Sequence, residues 1–422
     1  MKQRFLRFLA DLRFAITILL IIALFSIIGT VIEQDQSIEV YKLNYPVTNR
    51  VFGVLSWPLI LKFGFDHIYK TWWFICCIIL FGLSLLSCTI LQQFPSLKIS
   101  RRCQFFRIPN QFQRLKNSIK LQSLKFHKLL FNIKKVEYSV FHQKNILYAH
   151  KGLIGRIAPI IVHFSIILIL IGTLVGSVFG FKAQEIIPKT ETFHIQNILN
   201  NGQFTLIPNV SSRINDFWIT YNTKNTIVQF YSNISLLNVK GNELYRRTIF
   251  VNSPLEYKGI SYYQTDWDLV GLRIQNKLSQ ILQYPLINLF NSKFKIWITW
   301  VPINISSKQG IILLTDNLQG YCSVYDEYGK FLGNLEVNEV FEKNLPISLL
   351  DIVSSTGLQI KTDPGIPLIY LGFFFLIISS LISYASYSQV WVVKYKDQLF
   401  VGGNTTRAVF DFEIEFFKLI KI

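Results

Sequence analysis

The chain has 422 residues, half of them apolar, and a formal net charge of +18. Its apolar residues are clustered rather than spread, which excludes an ordinary soluble enzyme and predicts an integral membrane protein. The basic residues are not interleaved with aromatic residues in a stacking pattern, so we interpret them as contacts to lipid headgroups and expect no nucleic-acid partner.

Four apolar stretches are each long enough, at about 20 residues, to cross the hydrocarbon layer of a bilayer. They run from Phe14 to Val31, from Trp72 to Gln92, from Ile157 to Phe181 and from Ile366 to Tyr387. No cleavage site with two small residues follows the first stretch, so we expect a retained signal anchor. The predicted fold class is therefore an integral membrane α-helical protein with four transmembrane helices, and residues 1–93 form an N-terminal helical hairpin.

The distribution of charge predicts how the chain is oriented. Residues 94–156 carry 14 Lys and Arg against one acidic residue, whereas residues 182–365 carry 16 basic and 15 acidic residues. Loops rich in Lys and Arg face the cytoplasm or stroma. We therefore expect residues 94–156 to form a basic stromal loop and residues 182–365 to lie across the membrane, in a lumen or periplasm. With four spans both termini are stromal, including the tail of residues 388–422.

The sequence of residues 182–365 predicts a large, mostly β lumenal domain. Short aromatic and β-branched runs such as NDFWITYN and GISYYQTDWD alternate with turn signals rich in Asn, Lys and Gly. Their spacing of about ten residues favours a sandwich-like domain or an open barrel over a helical domain. We interpret Trp267, in the second of these runs, as a core or domain-surface aromatic residue.

Two hairpins and one helix are predicted outside the spans. Alternation in KVEYSVFHQKNILYAHKG predicts a hairpin in the basic loop. The tail predicts a second hairpin, turning at or before Gly402, and then a short amphipathic helix on the membrane surface. The histidines of the basic loop lack metal-ligand spacing, so we interpret them as solvated surface residues; they are His127, His142 and His150.

The five cysteines do not form a redox pair. Three lie in the second span, where we interpret them as small packing residues, and they are Cys76, Cys77 and Cys88. Cys103 lies in the basic loop, and Cys322 is the one cysteine of the predicted β domain. Because no Cys-x-x-Cys motif occurs, the chain cannot cycle an internal disulfide of its own on the lumenal side.

The third span carries one ionisable residue between its ends, His163, within RIAPIIVHFSIILILIGTLVG. Ala158, Ser165 and Gly172 recur at seven-residue intervals, and small residues at this spacing predict a face against which another helix packs closely. At 100° per residue, His163 lies about 180° from Gly172. The ring therefore faces a different neighbour, either a partner protein or a bound molecule.

The depth of His163 leaves three interpretations open. It lies about 9 Å inside the stromal end of the span, where desolvation favours the neutral imidazole. Such a ring forms an interhelical hydrogen bond, relays a proton or substrate in a transporter, or binds a haem iron. The chain has no internal repeat, which argues against a transporter. Spacing alone does not decide between the other two.

Four ordered segments resemble one known family: HKGLIGRIAPIIVHFSIILILIGTLVG, TIFVNSPLEYKGISYYQTDW, DPGIPLIYLGF and GGNTTRAVFDFEIEF. They are similar to the ResB/CcsB family of system II cytochrome c biogenesis, in its plastid form, over essentially the whole chain. The resemblance implies a membrane subunit that works with a CcsA-like partner to carry haem across the membrane and present it to apocytochrome c. It also implies that His163 is a transmembrane ligand of a haem b shared with that partner.

The resemblance implies further expectations about clients, location and role. The clients are apocytochromes c, namely cytochrome f and a soluble cytochrome c, and the location is the plastid thylakoid membrane, or the cytoplasmic membrane of a bacterium. The tryptophan-rich lumenal motif of CcsA-type proteins is absent, so we expect an accessory subunit of the haem-attachment complex without a catalytic residue of its own. The rival hypothesis is a membrane-anchored chaperone or assembly factor that binds a lumenal client without contacting haem.

Overall fold

The computed structural model describes residues 2–36, 38–48, 56–122, 126–207, 210–275, 280–289, 295–304, 309–341, 347–396 and 398–420. The chain forms two compact units. The helix-bearing unit comprises Met1–Val175 and Gly365–Ile422, and the β-rich unit comprises Gly176–Pro364. The β-rich unit is therefore an insertion between the two parts of the helix-bearing unit.

Ten α-helices lie within the described residues. They are α1 (Lys2–Leu9), α2 (Leu12–Val31), α3 (Ile38–Asn44), α4 (Trp57–Phe63), α5 (Trp72–Cys88), α6 (Phe94–Ser100), α7 (Phe126–Lys135), α8 (Ile154–Phe179), α9 (Ile366–Ile382) and α10 (Val409–Ile420). A π-helical turn, Thr89–Gln93, joins α5 to α6, and two 3-10 turns span Ile68–Lys70 and Pro109–Arg114.

Three helical segments are long and apolar enough to cross a membrane, and they match the first three predicted spans. They are Leu12–Val31, Trp57–Ser100 and Ile154–Phe179. The fourth predicted span is helical only over α9, which has 17 residues and is about 25 Å long. The structure thus has three helices of spanning length among its described residues and a fourth apolar helix that is shorter.

Apolar side chains join three of these helices. Ile18 of α2 packs with Phe81 and Leu85 of α5, and Ile166 and Leu170 of α8 lie against the same cluster. The helices are apolar on most of their circumference because lipid and protein are equally apolar surroundings. Their association therefore depends on close packing and on the few polar contacts described below.

The strands of the described residues number twenty-one. They are β1 (Asn117–Gln122), β2 (Ser139–Gln143), β3 (Ile146–Lys151), β4 (Phe181–Pro188), β5 (Thr192–Phe193), β6 (Ile198–Asn201), β7 (Ser211–Tyr221), β8 (Ile227–Leu237), β9 (Glu243–Phe250), β10 (Leu255–Tyr257), β11 (Ile260–Gln275), β12 (Ile281–Pro285), β13 (Ile287–Asn288), β14 (Trp297–Asn304), β15 (Gln309–Thr315), β16 (Tyr321–Tyr325), β17 (Phe331–Glu336), β18 (Val340–Phe341), β19 (Ile347–Thr362), β20 (Ser388–Tyr395) and β21 (Gln398–Thr405).

The predicted basic loop and the predicted tail form one antiparallel sheet in the helix-bearing unit. Its strand order is β1–β21–β20–β3–β2. The β2–β3 and β20–β21 hairpins confirm the two predicted hairpins, and the second turns between Tyr395 and Gln398. The central pairing joins distant segments, for example Ala149 with Val390. The predicted loop and the predicted tail are therefore one folded element, because their pairing depends on residues distant in sequence.

The predicted amphipathic helix is α10, and its apolar side is buried within this unit. Phe412 and Phe416 pack against Val392 and Val401 of the sheet, where α7 also contributes to the cluster. The opposite face of the sheet carries an aromatic cluster that includes Trp391. The apolar periodicity that suggested a helix lying on the membrane surface is thus explained by packing on the sheet.

The β-rich unit contains three sheets. A seven-stranded sheet has the order β10–β11–β19–β4–β6, with β12 beside β11 and β18 beside β19; a five-stranded sheet runs β13–β14–β15–β16–β17; and a four-stranded sheet runs β5–β7–β8–β9. The prediction of a mostly β domain is confirmed. The strands form three sheets around two apolar cores rather than the two sheets of a simple sandwich.

Trp267 lies in the larger core of this unit, as predicted. It is 7% exposed, and its ring centroid lies 5.1 Å from that of Trp297. Cys322 is buried in the same core, where burial raises the pKa of its thiol to about 12. The thiol therefore stays protonated and unreactive near neutral pH, which agrees with the expectation that it is not a redox group.

Candidate functional site

A seam of small residues on α8 fixes which side of this helix faces α9. The buried residues of α8 are Ala158, Ser165 and Gly172, as their seven-residue spacing predicts. A Cβ at Gly172 would lie 3.1 Å from the backbone nitrogen of Ile369, and a Cβ at Gly372 would lie 3.0 Å from the carbonyl oxygen of Ser165. Side chains at either glycine would push the two backbones apart.

His163 lies on another side of α8, where it contacts the π-helical turn that follows α5. Its Nδ1 lies 2.9 Å from Oγ1 of Thr89, and this hydroxyl lies 2.7 Å from the carbonyl oxygen of Leu85. A carbonyl only accepts hydrogen bonds, so the single hydroxyl hydrogen of Thr89 is donated to Leu85. The Thr89 oxygen then accepts a hydrogen bond from Nδ1–H of His163. This bonding assigns the tautomer in which Nε2 keeps its lone pair.

The second ring nitrogen of His163 is open to its surroundings. Among the described residues, Nε2 makes no hydrogen bond, and it is not among the buried polar atoms that lack a partner. The side chain is half-buried. His163 therefore presents an accessible imidazole nitrogen with a free lone pair, which is the form that binds a metal ion or a hydrogen-bond donor.

The π-helical turn between α5 and α6 begins at Thr89. The turn ends one residue before α6, whose first turn contains Pro95. A proline donates no N–H and its ring crowds the carbonyl four residues earlier, so a regular α-helix is disturbed here and the wider turn accommodates it. Single π turns in α-helices are frequent at functional sites. Here the turn carries the hydroxyl that binds His163.

Two hydrogen bonds tie this part of the second span to the N-terminal helices. Ser84 donates its hydroxyl to the carbonyl of Leu9 at 2.7 Å, and Gln92 donates from Nε2 to the carbonyl of Ala10 at 2.8 Å. These carbonyls lie where α1 ends and α2 has not yet begun, so they lack helical partners. The bonds satisfy them and hold the segment that carries Thr89 in place.

A second polar contact joins the same two membrane helices. Arg156 donates from Nη1 to Oγ of Ser96 at 3.0 Å. Thr89 and Ser96 are seven residues apart, as are Arg156 and His163, so the two helices run antiparallel in one register. In the described part of the chain, Arg156 forms no ion pair, and its Nε is buried without a hydrogen-bond partner.

The ring of Tyr387 packs against the guanidinium group of Arg156. The guanidinium carbon of Arg156 lies 5.2 Å from the centre of the Tyr387 ring, a cation–π distance. The Tyr387 hydroxyl donates to the carbonyl of Ser100 at 2.9 Å and lies 3.0 Å from the hydroxyl of Tyr148, which accepts from Gln389 at 2.8 Å. This chain of hydrogen bonds fixes the ring on which Arg156 rests.

The other histidines of the predicted basic loop differ from one another. His127 and His142 are exposed, as predicted. The interpretation of His150 as a solvated surface residue is wrong. Its Nδ1 is buried without a partner, its ring stacks on Phe141 with centroids 5.7 Å apart, and burial lowers its pKa. Neither the sheet nor the rest of the described chain groups three His, Cys, Asp or Glu side chains around a metal position.

Sequence reasoning identified His163 as a candidate and missed its neighbours. Thr89 and Ser96 had no signal of their own in an apolar segment. The available signal was the matching seven-residue spacing on two adjacent spans, Thr89 with Ser96 on one and Arg156 with His163 on the other. That match indicates a pair of helices with polar contacts at two levels.

Comparison with known proteins gives matches over most of the chain. The ResB-like family model matches residues 12–292 and 314–417. The chain is 68% identical over 421 residues to the cytochrome c biogenesis protein Ccs1 of Trieres chinensis, with 100% of each chain covered. It is 44% identical over 416 residues to Ccs1 of Porphyra purpurea, covering 98% of this chain and 95% of that one. It is also 44% identical over 427 residues to the cytochrome c biogenesis protein CcsB of Trichormus variabilis, covering 100% and 93%.

Proposed function

Because this chain belongs to the ResB-like family, we propose that it is a membrane subunit of the machinery that matures cytochromes c. In this proposal it works with a CcsA-like membrane protein to carry haem across the membrane and present it for covalent attachment to apocytochrome c. The relatives reported above carry cytochrome c biogenesis in their names and align with this chain over almost all of their length.

The observation that carries the haem part of the proposal is the hydrogen bond between His163 and Thr89. It leaves Nε2 of His163 with a free lone pair, and a haem iron accepts such an imidazole nitrogen as an axial ligand. Thr89 acts as the outer partner that orients the ring and fixes its tautomer, as partners of metal-bound histidines commonly do. The donor set of this site therefore fits a haem b held by one protein ligand from this chain.

In this proposal His163 would be the one ligand from this chain, and the partner would supply the second. When bound, the haem supplies the two vinyl groups to which apocytochrome thiols add. The seam between α8 and α9 holds the ligand-bearing helix in one rotation, and the π turn holds Thr89 beside the ring. In our proposal this chain is an accessory subunit that contributes His163 to the site and has no catalytic residue of its own.

We also propose the topology that the charges predict. The antiparallel packing of α9 on α8 along their seam supports α9 as a fourth span beside the three helices of spanning length. The nearly balanced charge of residues 182–365 and the strongly basic charge of residues 94–156 support this topology, in which the β-rich unit is lumenal and both termini are stromal. The membrane in our proposal is that of the thylakoid. In that compartment the clients are apocytochrome f and a soluble apocytochrome c.

Absorbance of the purified complex tests the proposed function. We expect the chain, co-purified with its CcsA-like partner, to show a haem Soret band that His163→Ala reduces by tenfold or more. Added imidazole should restore the band, because it supplies the missing nitrogen ligand. The matched control is His142→Ala, since His142 is an exposed residue of β2. Unchanged haem content in His163→Ala would contradict the proposal.

One observation also favours the rival function, an assembly factor that does not contact haem. The hydrogen bond between Thr89 and His163 joins two helices and would stabilise their packing whether or not haem binds. In that case His163→Ala would weaken the fold of the helix-bearing unit, and the purified complex would contain no haem in any variant. Imidazole would then restore nothing, which separates the two functions.

A further inference from the structure

The geometry points to a second contact with the same ligand: we propose that Arg156 binds the propionate carboxylates of the haem held by His163. This inference rests on the proposed function, since it concerns the ligand of that site. It adds a binding residue that acts on the carboxylates rather than the iron. It also fixes the direction in which the haem lies along α8.

The positions of Arg156 and His163 on α8 fit one porphyrin. Seven residues of α-helix rise about 10 Å and rotate the side chain by about 700°, which is 20° short of two full turns. The two side chains therefore lie on one face of α8, and each binds a polar partner on the same neighbouring helix. A rise of this size is comparable with the reach from the iron at the centre of a haem to the end of an extended propionate.

Arg156 has unused capacity for a carboxylate. A guanidinium has five N–H donors, and in the described residues Arg156 uses one nitrogen, Nη1, on the Ser96 hydroxyl. Its Nε is buried without a partner, while the side chain as a whole is only partly buried. Among the described residues Nη2 makes no hydrogen bond, and it is not one of the enclosed atoms. A carboxylate that binds Nη2–H together with the second N–H of Nη1 therefore reaches the open end of the guanidinium in a two-bond geometry that arginine favours.

In the part of the chain that the structure describes, no carboxylate lies within ion-pair distance of Arg156. Residues 94–156 contain one acidic residue against 14 basic ones, and Arg156 takes part in none of the ion pairs formed by the described residues. The Tyr387 ring supports the cation without neutralising it. A partly buried guanidinium without an ion pair among the described residues is therefore available to an anion from outside the chain.

The contact would set the orientation of the haem. With the propionates at Arg156 and the iron at His163, the vinyl edge lies beyond His163, toward the end of α8 that leads into β4. That is the direction in which the vinyl groups must travel to meet apocytochrome thiols in the proposed topology. The positive charge at Arg156 thus selects one of the two ways in which a haem could lie along the helix.

Titration with two porphyrins tests this proposal. The full chain, in nanodiscs of neutral phosphatidylcholine together with its CcsA-like partner, is titrated with haem b and with its dimethyl ester, which lacks the free carboxylates, and the Soret band is followed. We expect the wild type to bind haem b about tenfold or more tightly than the ester, as one charged pair of hydrogen bonds predicts. We expect Arg156→Gln to bind both equally, with the absorbance maximum of the His163-ligated haem unchanged at saturation.

Three variants keep the result interpretable. Arg156→Lys should recover part of the preference for haem b, since it restores the charge without the two-bond geometry. Lys128→Gln, which removes an exposed basic residue of α7, should behave as the wild type. His163→Ala should lose binding of both porphyrins. A matching gel-filtration profile shows that each variant is folded.

The outcomes separate this inference from the proposed function. A wild type with no preference for haem b over the ester, or an Arg156→Gln variant that keeps the preference, would overturn the role of Arg156 and leave His163 as the ligand. A wild type that binds neither porphyrin, or a His163→Ala variant that binds both normally, would overturn the proposed function itself. A repeat with anionic phosphatidylglycerol distinguishes a lipid headgroup at Arg156. In that case the added lipid changes the affinity for both porphyrins equally.

Discussion

The two units each contain a buried polar cluster, and the clusters differ in how completely their atoms are satisfied. In the β-rich unit, Oε1 of Gln264 accepts from the hydroxyls of Ser232 and Thr356, and its Nε2 donates to the carbonyl of Asp266 at 2.7 Å. Every polar atom of the Gln264 side chain has a partner within the protein. The cluster is closed.

The polar pair on α8, His163 and Arg156, has side-chain nitrogens without a hydrogen-bond partner among the described residues. Among the described residues, His163 uses Nδ1 on Thr89 and leaves Nε2 unbonded and accessible, and Arg156 uses Nη1 on Ser96 and leaves Nη2 unbonded and accessible. A closed network stabilises a fold, because its members would be costly to bury alone. An oriented pair with free donors and acceptors instead indicates a position that an external ligand completes.

Breaking the closed cluster should have the largest effect on stability. Gln264→Leu leaves the two buried hydroxyls of Ser232 and Thr356 without their bonds to this side chain, so we expect the free energy of unfolding of the β-rich unit to fall by about 3 kcal/mol. Urea unfolding of the full chain, followed by the fluorescence of the core tryptophans Trp267 and Trp297, measures the loss. Haem content should be unchanged if the remaining protein is folded.

The control for this prediction is the same substitution at an exposed glutamine. Gln283 lies on β12, is exposed and accepts a long 3.3 Å hydrogen bond from Arg273. We expect Gln283→Leu to change the free energy of unfolding by no more than about 0.5 kcal/mol. Equal effects at Gln264 and Gln283 would contradict the view that the buried network is a stabilising element.

A smaller effect should come from His150, whose unbonded nitrogen is enclosed rather than open. The rings of Phe141, Tyr148 and Tyr387 surround it, and burial lowers its pKa from the usual 6.5. Below that pH the unfolded chain binds a proton that the folded chain does not, so the stability of the helix-bearing unit falls as the pH falls. We expect His150→Phe to flatten this dependence between about pH 7 and pH 5.

The matched control for His150 is His142→Phe, at an exposed position on the neighbouring strand. It should leave the pH dependence of the unfolding midpoint as it is in the wild type. If His150→Phe and the wild type lose stability equally on acidification, the enclosed ring is not the group that takes the proton. This result would also show that a buried nitrogen without a hydrogen bond does not by itself make the stability of the fold depend on pH.

The part of the site that could be predicted from sequence is the part that depends on one helix. The seven-residue recurrence of Ala158, Ser165 and Gly172 gave the packing face of α8, and His163 followed as the residue turned away from it. The partner of His163 could not be predicted in this way. Thr89 is 74 residues away, and it stands at a π turn whose shift in rotation changes which side chains face α8.

The five-stranded sheet of the helix-bearing unit shows that contacts between distant segments are equally hard to predict at the level of the fold. Local alternation predicted the β2–β3 and β20–β21 hairpins correctly, because each is set by neighbouring residues. Pairing of β3 with β20, across the whole β-rich insertion, has no local signal. The misassigned exposure of His150 follows from this, since the aromatic residues that cover it include Tyr387, from beyond that insertion.

The tautomer of His163 is the central claim, and nitrogen NMR of the full chain in lipid measures it directly. With ¹⁵N-labelled histidine, the signal assigned by its loss in His163→Gln should show a protonated Nδ1 and an unprotonated Nε2, and Thr89→Val should remove this preference while Thr89→Ser keeps it. A wild-type His163 with its hydrogen on Nε2 would have no lone pair available there for iron, and would contradict the account.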